Sequence, residues 1–257
     1  MPRNGGHPVG DRAWAWCFLL LLAAAFVVYV LGLALVRASA PRVAAVGVLA
    51  AAIQLAPLGA PLLLSTDAWT YWDYGRIASV HDGNPYRDAP SRFAADPAYR
   101  YVGTDWRGAT SVYGPAFALA SEPVARIAGA SADAAAWIYK AIAALAVLAA
   151  ALLAARLSPR PALALAFVGW NPILSVHFAG GGHNDAWLAG LVLAALAAGA
   201  ARRRQLAGVF WALAVFVKWV PLLLLPLRAL EARATGRRVG HAAFAAIVVC
   251  VGALATW

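Results

Sequence analysis

Apolar runs long enough to cross a bilayer alternate along this chain with short polar stretches, and that alternation predicts its elements. Trp14 to Val36 runs 23 residues without a charge, which at about 1.5 Å per residue spans a hydrocarbon core of roughly 30 Å. Ala38, Ser39 and Ala40 resemble a signal-cleavage site, but the run exceeds the usual apolar region of about 7 to 15 residues and so reads as a retained first span over 14–36. A second span, 43–64, follows the turn RASAPR, and Pro57 and Pro61 bend its far end. Residues 65–133 form one large polar loop with six basic and eight acidic residues. Inside it, Tyr113 to Gly129 is moderately apolar, with Glu122 and Arg126 at i, i+4, and predicts a helix lying at the interface. Further spans are expected at 134–155, where Lys140 can snorkel from the outer end, at 161–178, interrupted by Asn171-Pro172, and at 186–201. Residues 205–227, broken by Lys218 and two prolines, predict a re-entrant hairpin turning near Lys218 to Pro221. A partial span over 242–257 ends the chain without a polar flank, which reads as an incomplete protein lacking its C-terminal part. The fold class expected is all-α, a polytopic helical membrane protein forming one multispanning domain over 1–257.

Composition excludes an ordinary soluble domain: 63% of residues are hydrophobic and 12% charged. The net charge of +10 raises nucleic acid as a partner, but the basic residues sit between apolar segments and build no Lys/Arg-rich face, so nucleic acid is excluded. Topology accounts for them instead. The linkers 37–42, 156–160, 202–204 and 228–238 hold eleven of the 21 basic residues and one acid, Glu231. By the positive-inside rule these linkers are cytoplasmic, so the large loop and the turn GGGHND face outward. The amino terminus is then outside with Arg3 and Arg12, against the rule, and an additional upstream helix would remove the conflict. Cys17 and Cys250 lie within apolar runs and read as small buried hydrophobes, without disulfide or metal.

The candidate chemistry starts where acidic residues first appear beyond the two opening runs, in STDAWTYWDYGRIASVHDGNPY, Ser65 to Tyr86. At about 100° per residue, Asp67 shares a helix face with Tyr71 and Tyr74, while Trp69, Trp72, Asp73 and Arg76 gather opposite. Asp73 can pair with Arg76; Asp67 has no cation at i+3 or i+4 and is the free carboxylate. Two outward acidic turns suggest an enzyme working at the outer membrane surface. Each residue has a plainer reading as well. Asp67 fits a helix start capped by Ser65 or Thr66. His183 and Asp185 fit a helix cap or, with His177, an incomplete metal site. Asn84-Pro85 and Gly114-Pro115 are turn signals, and most of the eleven Trp fit an interfacial belt. Lys218, a cation in a broken intramembrane helix, points by default to binding an anion.

The series STDAWTYWDYGR, HDGNPY, DWR with SVYGP, WNP, GGGHND and KWVPLLLLP, in that order over about residues 60–226, resembles the bacterial polyprenol-phosphate-mannose-dependent α-(1→6)-mannosyltransferases of the GT-C class. The resemblance implies an integral membrane glycosyltransferase that inverts a β-linked polyprenyl phosphate mannose donor into an α-linked product outside the cell membrane, on a lipid-linked or cell-envelope glycan acceptor. No cofactor and no metal-ligand set is read from the residues, and the base that the resemblance implies falls on Asp67. That chemistry suits the residues present. The phosphate leaves as a stable anion, so one carboxylate suffices to take the acceptor proton, where glycosidases normally need two. Arg76, Arg107, Lys140 and Lys218 are available for the phosphate. Tyr71, Tyr74, Asn84, Tyr86 and Tyr113 are available for sugars, beside His183, Asn184 and Asp185 of the second turn. Relatives of this kind carry a helix upstream and several downstream of the matching region. A related transferase using another lipid-linked sugar would show much the same loop. The competing class is a non-catalytic flippase or transporter of lipid-linked sugars, for which broken helices are equally natural; it would place its polar residues near the midplane rather than in one outer loop.

The charge count generates a topological test in a variant whose Cys17 and Cys250 are replaced by serine. Thr235→Cys is expected to resist an impermeant thiol reagent in intact cells and Ala95→Cys to react. The reverse labelling would overturn the orientation.

Overall fold

In the computed structural model the described residues, 12–62, 64–234, 236 and 241–255, carry helices and no strand. Arg3, Thr235, Arg237, Arg238 and the last two residues of the final apolar run lie outside them. In chain order the α-helices are α1 (Arg12–Ser39), α2 (Val43–Leu55), α3 (Asp67–His81), α4 (Pro115–Ala128) and α5 (Ala132–Leu157). They continue as α6 (Pro161–Gly169), α7 (Asp185–Ala200), α8 (Arg204–Val217), α9 (Leu225–Ala234) and α10 (His241–Ala255). The all-α class expected is thus the class observed, and α1 and α5 are each long and apolar enough to cross a membrane. Contacts divide the chain into two compact units, Met1–Ala68 with Ala136–Ala186, and Trp69–Ala135 with Trp187–Trp257.

In the first unit, α1 buries little beyond Tyr29 and Val36 and leaves Leu19, Leu20, Val28 and Leu31 exposed. A stripe of large apolar side chains turned outward is what a lipid-facing helix needs and what a soluble surface avoids. Cys17 and Cys250 are exposed rather than buried, because each sits on an outward apolar face, where a small hydrophobe is equally at home. The core of this unit joins Val36, Val46, Ala50, Ala151, Ala155, Leu165 and Ala166. Small residues let α2 and α6 approach closely: a Cβ on Gly169 would lie 2.6 Å from the Ala50 Cβ. Directional bonds then fix the register. Gln54 Nε2 donates to Gly169 O at 3.0 Å, Trp170 Nε1 to Val46 O at 3.1 Å, and Tyr29 OH to Phe167 O at 2.7 Å.

Two breaks in the first unit set up the site. After Leu55 the chain tightens into a 3-10 turn, Ala56–Gly59, since Pro57 and Pro61 cannot donate to an α-helical ladder. The carbonyls this leaves are taken by Lys140, which does not snorkel: it is 3% exposed, and its Nζ donates to Ala60 O and, at 3.5 Å, to Leu58 O. The second break is at Asn171-Pro172, where the chain resumes as a π-helix, Leu174–Ala179. Asn171 Oδ1 caps it by accepting from the Ile173 and Leu174 N–H groups, and Ser175 Oγ ties it to Ile53 O at 2.8 Å.

In the second unit, α3 is buried on every side, with Trp69, Tyr71, Trp72, Tyr74 and Ile77 all in the core. Tyr71 meets Tyr113 and Phe117 edge to face at 4.9 and 4.8 Å, and Phe117 meets Trp187 at 5.1 Å. Helix α4 buries Phe117, Ser121, Val124, Ala125 and Ala128, and the Glu122–Arg126 pair stays on its outer face at 3.7 Å. Helix α8 ends at Val217, Lys218 is extended with φ −157° and ψ 142°, and a 3-10 turn from Val220 to Leu224 leads into α9.

The packing of α2 against α6 leaves no room for a side chain at Gly169. Gly169→Val is expected to destabilise the protein by about 1 to 3 kcal/mol, as overpacking does, read as a lower unfolding temperature in detergent. A second change, Ala50→Gly, should recover part of the loss.

Candidate functional site

Asp67 opens α3, and the Ser65 hydroxyl accepts its backbone N–H at 3.0 Å. Capping therefore falls to Ser65, and the Asp67 carboxylate is left for another partner. That partner is a histidine the helical spacing gave no sign of: His183 Nδ1 lies 3.1 Å from Asp67 Oδ2. Asp67 is thus not a free carboxylate. Its side chain stays 26% exposed while that of His183 is 7% exposed, so a reachable carboxylate rests on a buried imidazole.

The turn GGGHND is built to seat that imidazole. A Cβ on Gly181 would lie 2.6 Å from His183 Cδ2, so only glycine leaves space for the ring. Gly182 has φ +68°, and a Cβ there would press to 3.0 Å from Tyr139 Cβ. His183 N–H donates to Phe178 O at 3.0 Å, and the ring lies over His177 with centroids 4.2 Å apart. Among the described residues His183 Nε2 is buried without a hydrogen-bond partner. Asn184 is fully buried and Asp185 begins α7, half-buried. Among the described residues no three His, Cys, Asp or Glu side chains are grouped to hold a metal ion.

The remaining sequence-predicted residues lie in the second unit, and the structure sorts them into two groups. Arg76 does not pair with Asp73. Its Nε and Nη2 grip Asp96 at 2.8 and 2.9 Å, and Nη1 donates to Gly129 O at 2.6 Å, with the guanidinium 5.6 Å from the Trp72 ring. His81 Nε2, 2.7 Å away, and the Ala98 N–H complete the Asp96 shell. A buried, fully engaged guanidinium is structural, and the phosphate role expected for Arg76 has no free donor face to rest on. Asp96 and His81 are the residues that sequence reasoning missed, since a pair separated by 15 to 20 positions leaves no periodic trace. Arg107 likewise turns to the backbone, reaching Val102 O at 3.3 Å and stacking 5.0 Å from the Tyr99 ring.

The other group comes together. Asn84 Oδ1 accepts the Tyr86 N–H at 2.9 Å, Tyr86 OH donates to Tyr113 O at 2.9 Å, and Gly114 N–H donates to Val217 O at 3.1 Å, beside Lys218. Tyr71 packs on Tyr113, and Tyr74 OH donates to Ala109 O at 3.0 Å. Burial pushes the Tyr86 phenol up to about 12, and burial with the nearby Asp73 does the same for Tyr74, so both are neutral donors. A cavity of about 300 Å³ opens beside Asn84 and Tyr86, with Asp82, Leu119 and Glu122 among its other walls. A ring face, an amide and two carboxylates around a small cavity suit polyhydroxylated ligands.

Helices that turn large apolar faces outward, with polar chemistry gathered at breaks and turns, define an integral membrane protein of the all-helical class. The model of the alpha-(1->6)-mannopyranosyltransferase family, N-terminal domain, matches residues 7–234, and the chain belongs to that family. It is similar to alpha-(1->6)-mannopyranosyltransferase A of Corynebacterium glutamicum, at 31% identity over 170 residues. The match covers 64% of this chain and 34% of that relative, so the region shared is about a third of the relative's length. No solved structure matches. The family expected from the six motifs is therefore the family found.

Asp73 lies next to the Arg76–Asp96 cluster yet is 1% exposed, and among the described residues its Oδ2 has no hydrogen-bond partner. Burial, then repulsion from Asp96, pushes its carboxyl up from 3.8 to about 7, against attraction to Arg76. A folded-state pKa above the unfolded one favours folding most at low pH, and the advantage is lost as pH rises from about 4 through 7. Asp96 runs the other way: burial would raise it, but Arg76, the Ala98 N–H and His81 outweigh that and hold it below the ordinary carboxylate range. Its contribution is present above about pH 4 and lost below. Thermal stability in detergent is expected to fall between pH 5 and pH 8, and Asp73→Asn to flatten that fall. An unchanged profile in Asp73→Asn would remove Asp73 as its source.

Proposed function

We propose that this protein is a membrane glycosyltransferase that transfers a mannosyl residue from polyprenyl phosphate mannose to a lipid-linked or cell-envelope glycan, with inversion, on the extracytoplasmic side of the cell membrane. The apolar segments read from the sequence serve as the spans of a multispanning region, with the large loop and GGGHND outward. Family membership supports the mannosyl chemistry, and the observation that carries the mechanism is the Asp67–His183 pair.

The reaction needs one proton acceptor. The acceptor hydroxyl attacks the anomeric carbon from the face opposite the phosphate; a C–O bond forms there and the bond from C1 to the phosphate oxygen breaks. The leaving phosphate keeps the electron pair, and Asp67 takes the hydroxyl proton. A single displacement inverts the anomeric centre. His183 touches Asp67 through Nδ1 and so is a positioning residue, holding the carboxylate orientation that a surface Asp would lose to rotation. Within the second unit, the Asn84, Tyr86 and Tyr113 group offers hydrogen bonds and a ring face that suit a sugar. Lys218, at the extended break after α8, supplies a compact cation for the carrier phosphate.

Asp67→Asn keeps size and fold and removes the proton acceptor. It is expected to retain donor binding and to lose about 10² to 10⁴ in transfer rate, measured with radiolabelled polyprenyl phosphate mannose and a mannoside acceptor. Asp73→Asn at matched expression should transfer normally. His183→Asn replaces Nδ1 with an amide donor and should keep more activity than His183→Leu, which is expected to lose about a hundredfold through misplacement of the carboxylate. Normal turnover by Asp67→Asn would remove it from the mechanism.

A further inference from the structure

Two cavities at one end of the first unit, of about 530 and 480 Å³, share Arg37, Pro159, Arg160 and Leu163 as walls. They lie at the junction of the α1 terminus and the α5–α6 turn. The larger extends along an apolar slot: Leu33, Leu163, Phe167 and Val168 provide its walls, and the short side chains of Ala34, Ala154 and Ala164 leave its volume. Behind the slot, Val36, Ala155, Leu165 and their neighbours pack as core, so the walls are held by buried contacts. Phe167 remains 59% exposed on the open side. At the mouth, Arg37 and Arg160 reach from two different elements to the same two cavities, both side chains exposed and neither in an ion pair among the described residues.

We propose that this slot is a binding site for an anionic phospholipid, its acyl chain along Leu33, Leu163 and Phe167 and its phosphodiester between Arg37 and Arg160. The amphipathic shape selects the ligand. A water-soluble anion has no use for an apolar wall of this length, and a neutral lipid leaves two adjacent guanidiniums without a counter-charge. A zwitterionic head group brings its own ammonium against them, whereas a phosphodiester with an uncharged alcohol accepts planar donors from both. The site is separate from Asp67 and His183 and from the transfer chemistry, and rests on the membrane-embedded character of α1. If the linkers 37–42 and 156–160 are cytoplasmic, the lipid comes from the inner leaflet.

Native mass spectrometry of the full chain in mixed micelles tests this with phosphatidylglycerol and phosphatidylcholine as probes. Phosphatidylglycerol is expected to remain bound where phosphatidylcholine does not. The exposed pair change Arg37→Gln with Arg160→Gln should weaken that binding about twenty-five-fold, at about fivefold for each arginine near an anionic head group. Ala164→Phe, which fills the slot and leaves both arginines, should abolish it, with folding verified by the melting profile. Equal retention of the two lipids, or full binding by the arginine variant, would overturn the proposal, as would undiminished binding in a folded Ala164→Phe. Preference for polyprenyl phosphate over phosphatidylglycerol would overturn the phospholipid assignment.

Discussion

A chain this apolar can break a helix only where its own side chains satisfy the exposed backbone, because lipid offers no hydrogen bonds. Lys140 is the clearest expression of that constraint. A cation buried to 3% exposure carries a large desolvation cost, and it is held because Pro57 and Pro61 leave carbonyls that its ammonium can reach. The same reasoning covers Asn171, whose side-chain oxygen caps the π-helix that follows the Asn-Pro break, and Gln54, which donates into the end of α6 at Gly169. Irregular backbone in the first unit therefore appears where a polar side chain, local or distant, is on hand to close it.

Those breaks are what bring Asp67 and His183 together. The interruption after Leu55 redirects the chain so that α3 starts at Asp67, and the interruption at Asn171-Pro172 gives a wider helical turn that ends in three glycines. Each glycine has a spatial reason. A Cβ on Gly180 would lie 3.3 Å from Pro57 Cβ, Gly181 makes room for the His183 ring, and Gly182 supplies the left-handed turn against α5. The motif is thus a device for placing one imidazole, and the 3.1 Å contact to Asp67 follows from it.

Much of this was legible in advance because apolar length and proline position act locally. The run 14–36 lies inside α1, the bend near Pro57 is the 3-10 turn, and the interruption at Lys218 is the end of α8. Side-chain partners were not legible, because they depend on which distant element arrives. Periodicity points to Asp73 for Arg76 three residues on, but Asp96 offers one oxygen to Nε and the other to Nη2, and a bidentate pair outcompetes a single contact along one helix. The place of Lys140 near a span end predicts snorkelling, whereas the carbonyls that recruit it, of Ala60 and Leu58, belong to a turn 80 and 82 residues earlier.

Asp67, Asp73 and Asp96 show how environment sorts one chemical group into three uses. Asp96 is saturated with donors and held ionised below its ordinary range, so it anchors structure and is a poor proton acceptor. Asp73 is buried with an unpartnered oxygen and pushed up to about 7, so its ionised form is penalised and substrate has no open path to a side chain 1% exposed. Asp67 alone among them combines an accessible carboxylate with a buried partner that fixes its direction. A base for a sugar hydroxyl has to be ionised, reachable and oriented at once; Asp96 is out of reach beneath its donors, and Asp73 is both out of reach and pushed toward its protonated form.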